Sequence, residues 1–147
     1  MPLTVRPVAQ TDKAAWEVLY QGYAKFYDVD QTQEMRDRVW GWITDPDHEV
    51  NCFVAEQDGM LIGLTHYRPF FSPLSANVKG FLDDLFVDPT TRGSGAAQAL
   101  IEAVSAKGRE KDWAVIRWIT AEDNYRARGV YDKLATRTGW VTYDIPL

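Results

Sequence analysis

The chain has 147 residues, of which 46% are hydrophobic and 25% are charged, so it suits one globular domain rather than a disordered or fibrous chain. Its net charge of −5 argues against tight binding to the phosphates of a nucleic acid. The single cysteine, Cys52, excludes an internal disulfide, and no apolar run is typical of a signal peptide or a membrane span, which together indicate a cytoplasmic protein.

Periodicity and turn residues divide the sequence into strands and helices. The predicted elements, in chain order, are a strand at 4–8, helices through 16–27 and 32–43, strands at 52–56, 60–67 and 80–87, a helix at 96–107, a strand at 113–120, a helix at 124–136 and a closing strand at 139–145. Pro7 places the first strand at a sheet edge, and Asp58-Gly59 is typical of a hairpin turn. Gly108 is expected to end the third helix in a left-handed conformation.

This order of elements combines hairpins with one strand–helix–strand crossover. Hairpins make part of the sheet antiparallel, and the crossover adds a parallel pair. No repeat, linker or low-complexity tract divides the chain. We therefore expect a single domain over residues 4–147, of the α/β class, with a mixed, mostly antiparallel twisted sheet and helices on both faces.

The segment 85–97 carries the most informative chemistry. An apolar strand runs into a turn that contains Gly93 and Gly95, and then into a helix. Glycine lets the backbone approach a ligand closely, and the first N–H groups of a helix attract anions. Arg92 adds a cation suited to phosphate oxygens. The pattern predicts a diphosphate site, and the alternative is an ordinary strand-to-helix loop.

Two motifs separated by a predicted strand resemble those of the GNAT N-acetyltransferases. The first, similar to the family's R-x-x-G-x-G/A signature, is Val87-Asp88-Pro89-x-x-Arg92-Gly93-x-Gly95-x-Ala97. The second is Trp118-x-Thr120-x-x-x-Asn124-x-x-Ala127-x-x-x-Tyr131-x-Lys133. The order of elements also resembles that of the family over nearly the whole chain, which implies the GNAT fold.

The resemblance implies acetyl-coenzyme A as the co-substrate and assigns residues to its parts. The pyrophosphate would be held by Arg92, Gly93, Ser94, Gly95, Ala96 and Ala97, and the pantetheine arm would pair with the backbone of Leu85, Phe86 and Val87. Asn124 and Lys133 would contact the coenzyme. Tyr131 would lie near the thioester sulfur and protonate the departing thiolate. Without the resemblance, Tyr131 would be interpreted as a core residue of an amphipathic helix.

Asp83 and Asp84 lie inside an otherwise apolar predicted strand. A buried carboxylate is costly unless it is paired, so such a placement often marks a functional site. The segment 82–87 resembles the L-E-D-F/L-F-V run of polyamine acetyltransferases and a related histone and small-amine branch, which implies that Asp83, directly or through water, accepts the proton of the amine. Because neighbouring strand residues alternate between faces, we expect the two carboxylates on opposite faces. The alternative for either is a carboxylate tied to an arginine or to backbone N–H groups.

Three further side chains are candidates for the acceptor site. His66 either borders the acceptor pocket or is a structural histidine with satisfied hydrogen bonds. Tyr23 and Tyr27 come from the first helix, which borders the acceptor in the family that the chain resembles. No spacing of Cys, His and carboxylates indicates a metal site.

These patterns predict an acetyl-coenzyme A-dependent N-acetyltransferase in which a primary amine attacks the thioester directly. A small amine or polyamine ranks first as the acceptor, and an amino acid or peptide amine ranks second. The 11 acidic and 6 basic side chains of residues 1–75 also favour a cationic acceptor such as a polyamine. The alternatives are a non-catalytic coenzyme A-binding regulatory module and a generic binder of nucleotide phosphates. The segment 140–145 is a candidate edge strand for a homodimer.

Overall fold

The computed structural model describes residues 2–147, and these residues form five strands and four α-helices. In chain order they are β1 (Leu3–Pro7), α1 (Lys13–Phe26), α2 (Gln33–Ile43), β2 (Asn51–Gln57), β3 (Met60–Ser72), β4 (Asn77–Val87), α3 (Ala96–Glu110), β5 (Ile116–Arg117) and α4 (Tyr125–Leu134). None of these helices has the length and apolar character needed to cross a membrane.

The five strands form one mixed sheet in the order β1-β2-β3-β4-β5. The first four strands are antiparallel to their neighbours, and only β4 and β5 are parallel. β1 lies at an edge, as Pro7 predicts, because proline cannot donate to a second neighbouring strand. Asp58 and Gly59 both have positive φ (55° and 75°), which is the geometry of a tight hairpin turn.

Helices cover both faces of the sheet, which confirms the predicted α/β architecture. On one face α1 buries Trp16 and Leu19 against strand residues such as Leu64. On the other face α3 buries Leu100 and Val104 in a second cluster, to which α4 adds apolar contacts. Each fully buried large apolar side chain contributes about 1.5–3 kcal/mol relative to an exposed one, so these two clusters hold the layers together.

The third helix runs past the position where a left-handed glycine was expected to end it. Gly108 lies inside α3, which continues to Glu110, and the residue with positive φ is Asp112 (59°). The prediction for Gly108 is wrong because this glycine serves packing instead. A Cβ at Gly108 would lie 2.9 Å from Ile116 Cδ1, so the missing side chain lets α3 approach β5.

The C-terminal part of the chain contains less strand than the sequence predicts. The strand expected at 113–120 is reduced to Ile116–Arg117, and the strand expected at 139–145 is not formed. Residues 136–147, the C-terminal arm, are exposed, and the exposed fractions of Trp140 and Tyr143 are 78% and 89%. Alternating apolar residues give a segment the tendency to form a strand, but a strand also needs a neighbouring edge to pair with.

Candidate active site

A β-bulge in β4 brings the carboxylates of Asp83 and Asp84 to the same face of the sheet. The register of β3 and β4 shifts here, so that Asp84 lies opposite His66 and Asp83 has no direct partner on β3. Asp84 bonds to His66 and Asp83 bonds to Arg68, and these partners share one face because they are two residues apart on β3. The expectation of opposite faces is therefore wrong, because an inserted residue interrupts the alternation.

Asp84 is held by a buried network of hydrogen bonds that starts at Trp16. Trp16 Nε1 donates to His66 Nε2 over 3.0 Å, and His66 Nδ1 lies 2.8 Å from Asp84 Oδ2. Because Nε2 accepts the indole N–H, the ring hydrogen lies on Nδ1, which donates to Asp84. The hydroxyl of Tyr20 donates to the same carboxylate oxygen over 3.0 Å. His66 is only 1% exposed, so it acts on Asp84 and does not itself face solvent.

The two carboxylates differ in their affinity for a proton. Burial raises the pKa of Asp84, but hydrogen bonds from His66 and Tyr20 outweigh it and hold this pKa below its usual value. Burial also raises the pKa of Asp83, and there it prevails over the opposing effect of Arg68. Asp84 is therefore suited to stay anionic and attract a cation, whereas Asp83 is the better proton acceptor.

Aromatic side chains of α1 form a wall beside the carboxylates. The ring centroid of Tyr23 lies 6.0 Å from that of Tyr20, 5.0 Å from that of Tyr27 and 6.1 Å from that of Phe86. Burial and the charge of Asp84 raise the pKa of Tyr23, so its hydroxyl keeps its proton and can donate a hydrogen bond. Tyr20 is not among the residues predicted for the acceptor site, although the helical spacing that selects Tyr23 places Tyr20 on the same stripe.

β4 and β5 separate just before the bulge. Parallel pairing joins Gly80 to Ile116 and Phe81 to Arg117, and within the described chain the two strands are not paired beyond that point. The backbone of residues 82–87 is thus paired with β3 on one side only. Its open edge spans about 10 Å between Asp84 and the end of β4, since a strand rises about 3.3 Å per residue. An extended pantetheine arm fits along such an edge.

The turn between β4 and α3 has the shape expected for an anion site. Gly93 and Gly95 have φ of 85° and 83°, a conformation that glycine adopts readily. A Cβ added at either position would have no neighbouring atom within 4 Å, so the backbone surface is open to a ligand. Ala96, in the first turn of α3, is 1% exposed and anchors the helix in the core. Because Arg92 is exposed beside this helix N-terminus, the turn fits a diphosphate.

The second motif lies on α4 and on the segment before it. Asn124 precedes α4, and its Oδ1 accepts from the backbone N–H of Ala127 over 3.4 Å, which leaves the amide NH₂ for another partner. The buried hydroxyl of Thr120 has no hydrogen-bond partner among residues 2–147. Lys133 is exposed in the last turn of α4. The motif thus offers free polar groups on the β5 side of the open edge.

Tyr131 lies on α4 and packs against the apolar cluster that α3 forms with the sheet. Its ring meets that of Trp118 edge-on, with centroids 5.4 Å apart. Burial, with a smaller contribution from Tyr27, raises the pKa of Tyr131 to about 12. The hydroxyl therefore keeps its proton at neutral pH and can act as an acid. This position is compatible with the role that the resemblance implies.

Within residues 2–147, no three His, Cys, Asp or Glu side chains are grouped so that they could hold a metal ion. Cys52 is a buried free thiol whose pKa is raised by burial, so it is unsuited to act as a nucleophile. The groups available for chemistry are therefore the carboxylates at the bulge, the tyrosines around them and the backbone of the open edge.

Comparison with known proteins identifies the family. The sequence profile of the acetyltransferase (GNAT) family matches residues 16–135. The chain is 26% identical over 143 residues to the D-amino-acid N-acetyltransferase HPA3 of Saccharomyces cerevisiae, covering 96% of this chain and 89% of that protein. It is 28% identical to the uncharacterized N-acetyltransferase YhfO of Bacillus subtilis, with coverage of 96% and 95%.

Solved structures agree on the fold. The structure of AAC(6')-Iy in complex with the bisubstrate analog CoA-S-monomethyl-acetylneamine superposes with a TM-score of 0.88 at 21% identity, covering 100% of this chain and 99% of that chain. At this identity the likeness shows the fold alone. The profile match over most of the sequence shows more: the chain is an N-acetyltransferase and belongs to the acetyltransferase (GNAT) family.

Proposed function

We propose that this chain transfers the acetyl group of acetyl-coenzyme A to the primary amine of a small molecule, by direct attack of the neutral amine. The observation that carries the proposal is the open edge of β4, which leads from the carboxylates at the bulge to the glycine turn before α3. One end of this edge suits a cation and the other an anion, so an amine and an acylated coenzyme would meet between them. When bound, the coenzyme supplies an acetyl thioester at this edge.

Asp83 is the proposed base, and Asp84 is the proposed anion that attracts the ammonium form of the acceptor. The raised pKa of Asp83 favours proton uptake, whereas the lowered pKa of Asp84 keeps that group charged. Because Arg68 already bonds to both oxygens of Asp83, we infer that a water molecule carries the proton from the amine to this carboxylate. Backbone N–H groups on the open edge would donate to the oxygen that gains negative charge.

Tyr131 is the proposed acid that protonates the departing thiolate. Replacing it with phenylalanine removes the hydroxyl and keeps the ring, so kcat should fall by about 10²–10⁴-fold, the usual contribution of such a group. Coenzyme A affinity, measured by titration calorimetry, should change little. Tyr125→Phe on the same helix is the matched control, because Tyr125 is 75% exposed. Wild-type turnover of Tyr131→Phe would overturn this role.

We also propose contacts for the coenzyme. The pyrophosphate is assigned to the turn at 92–97, the pantetheine arm to the edge at 85–87, and further contacts to Asn124 and Lys133. The alternative, a non-catalytic coenzyme A-binding module on the domain 4–147, is not favoured, because the chain belongs to a family of acetyltransferases. Thiol release in the presence of acetyl-coenzyme A, assayed over a panel of primary amines, decides between them. Release with any member supports transfer, and coenzyme binding without release supports the module.

The acceptor panel also ranks the two classes of amine. The excess of acidic residues in the first half of the chain supports a small amine or polyamine. The yeast relative, named for its action on D-amino acids, supports an amino acid. Spermidine, a set of amino acids in both enantiomers and a short peptide therefore belong in the panel, with a tertiary amine as the control that cannot be acetylated stably.

We further propose a cytoplasmic homodimer built through the C-terminal arm. Within residues 2–147 the C-terminal arm is exposed and β5 is the last strand of the sheet, so the arm of each copy can pair with β5 of the other. A free buried thiol is compatible with a reducing compartment. Light scattering after size exclusion should give twice the chain mass for the wild type and the monomer mass after deletion of residues 139–147. A monomeric wild type would refute the dimer.

A further inference from the structure

Arg68 offers an unused binding surface beside the two carboxylates. Its Nε donates to Oδ1 and Oδ2 of Asp83 over 3.2 and 3.1 Å. Among residues 2–147, the two terminal nitrogens of Arg68 have no hydrogen-bond partner, and the side chain is 38% exposed. The guanidinium carbon lies 5.0 Å from the ring centroid of Phe81, within the range of a cation–π attraction that helps to hold the group. The outer side of the guanidinium is thus held in place and open.

A guanidinium with two free N–H groups on one side can bind a carboxylate through two parallel hydrogen bonds. In an α-amino acid the amine and the carboxylate are attached to the same carbon, so a site for one must adjoin a site for the other. We propose that Arg68 binds the carboxylate of an α-amino acid while the carboxylates at the bulge receive its amine. This inference rests on the proposed acetyl transfer and names the acceptor class.

The charges around Arg68 favour an acceptor with an anionic group over a polyamine. Phe81 lies opposite Arg68 on β3 and opposite Arg117 on β5, so the two arginines lie on one sheet face. The guanidinium of Arg117 lies 5.9 Å from the ring centroid of Phe70 and has no ion pair within the described residues. A second ammonium group of a polyamine would meet these cations, whereas a carboxylate is attracted by them.

The competing explanation is that Arg68 only neutralises Asp83. That role accounts for the bond from Nε, and it predicts that Arg68→Met acts only by uncovering the charge of Asp83, so that adding Asp83→Asn to Arg68→Met restores the wild-type preference among acceptors. Carboxylate binding predicts the opposite. Asp83→Asn leaves the guanidinium in place and preserves the preference for amino acids, while replacement of Arg68 removes that preference.

The test compares acceptors that differ only in the carboxylate. Phenylalanine is paired with phenethylamine and lysine with cadaverine, and kcat/KM is measured from thiol release with acetyl-coenzyme A. The wild type should favour the amino acid of at least one pair by about 10–100-fold, the order expected for hydrogen bonds between a charged guanidinium and a carboxylate. In Arg68→Met this ratio should fall toward 1, chiefly through KM, and Arg68→Lys should retain part of it. Arg38→Met, on exposed α2, is the control and should keep the wild-type ratio.

The possible outcomes distinguish a failure of carboxylate binding from a failure of acetyl transfer. Equal or better turnover of the decarboxylated amines, or an unchanged ratio in a folded Arg68→Met protein, overturns carboxylate binding and leaves acetyl transfer intact. Recovery of the wild-type ratio when Asp83→Asn is added to Arg68→Met supports simple neutralisation and also overturns the inference. Absence of thiol release from every amine refutes acetyl transfer, and the inference falls with it.

Discussion

Replacing Trp16 with phenylalanine tests the network that orients Asp84. The indole N–H donates to His66 Nε2 over 3.0 Å, and Trp16 and His66 are 0% and 1% exposed. In Trp16→Phe the imidazole nitrogen loses its donor in a place that solvent does not reach. A buried acceptor without a partner costs about 1–3 kcal/mol, and the smaller ring adds about 1 kcal/mol for the cavity. We therefore expect the free energy of unfolding to fall by about 2–4 kcal/mol.

Urea unfolding followed by circular dichroism measures this change. The matched control is Trp40→Phe, because Trp40 packs on Trp16 with ring centroids 5.2 Å apart and belongs to the same cluster. Nitrogen NMR of the imidazole provides a second measurement, in which wild-type His66 should carry its hydrogen on Nδ1. A hydrogen on Nε2 in the wild type would refute the network. So would a loss in Trp16→Phe no greater than that in Trp40→Phe.

Three further predictions concern the glycine turn, Asp84 and the junction of β4 with β5. Gly95→Ala and Gly59→Ala both place a Cβ on a residue of positive φ, so each should lose about 1–2 kcal/mol of unfolding free energy. Only Gly95→Ala should weaken coenzyme A binding in calorimetry. Equal coenzyme A affinities of the two variants would contradict the site at the turn. The folded-state pKa of Asp84 lies below its ordinary value, so the charged carboxylate stabilises the fold above that ordinary value and this stabilisation is lost as pH falls through the folded-state pKa. The difference in unfolding free energy between the wild type and Asp84→Asn, measured in urea, should therefore shrink below about pH 4. A difference that does not depend on pH would contradict the assigned ionisation. Gly80→Ala places a Cβ 2.5 Å from Trp113 Cε3, and this overpacking should lower the free energy of unfolding by about 1–3 kcal/mol in the same assay. An unchanged free energy of unfolding would mean that β4 is not tightly packed at its junction with β5.

Local signals in the sequence were sufficient for most of the elements and for the turn that faces the coenzyme. Thr32 caps α2, with its hydroxyl accepting from the N–H of Met35, and the positive φ values of Asp58 and Gly59 follow from a recognisable turn pair. Gly93 and Gly95 have the conformation that their spacing suggests. In each case the cause lies within a few residues of the effect, so the sequence pattern is enough.

Features that depend on distant residues were not predictable in this way. Two adjacent aspartates do not indicate that one of them is inserted in the strand, since the bulge is defined only by the register against β3. The bond from Trp16 to His66 joins residues 50 positions apart, and nothing local marks either as a partner. The C-terminal arm has the composition of a strand, but only the arrangement of the other strands decides whether it has a neighbour.

The bulge in β4 also has a consequence for how acceptor choice can change in descendants of this protein. An inserted residue is a discrete feature of the backbone: Asp83 lies between two paired positions, so even its deletion would leave Leu82 opposite Tyr67 and Asp84 opposite His66. A point substitution at the same position changes only the side chain that meets the acceptor. The register of the sheet is therefore protected while the chemistry at Asp83 is open to mutation, so acceptor preference can diverge rapidly on an unchanged scaffold.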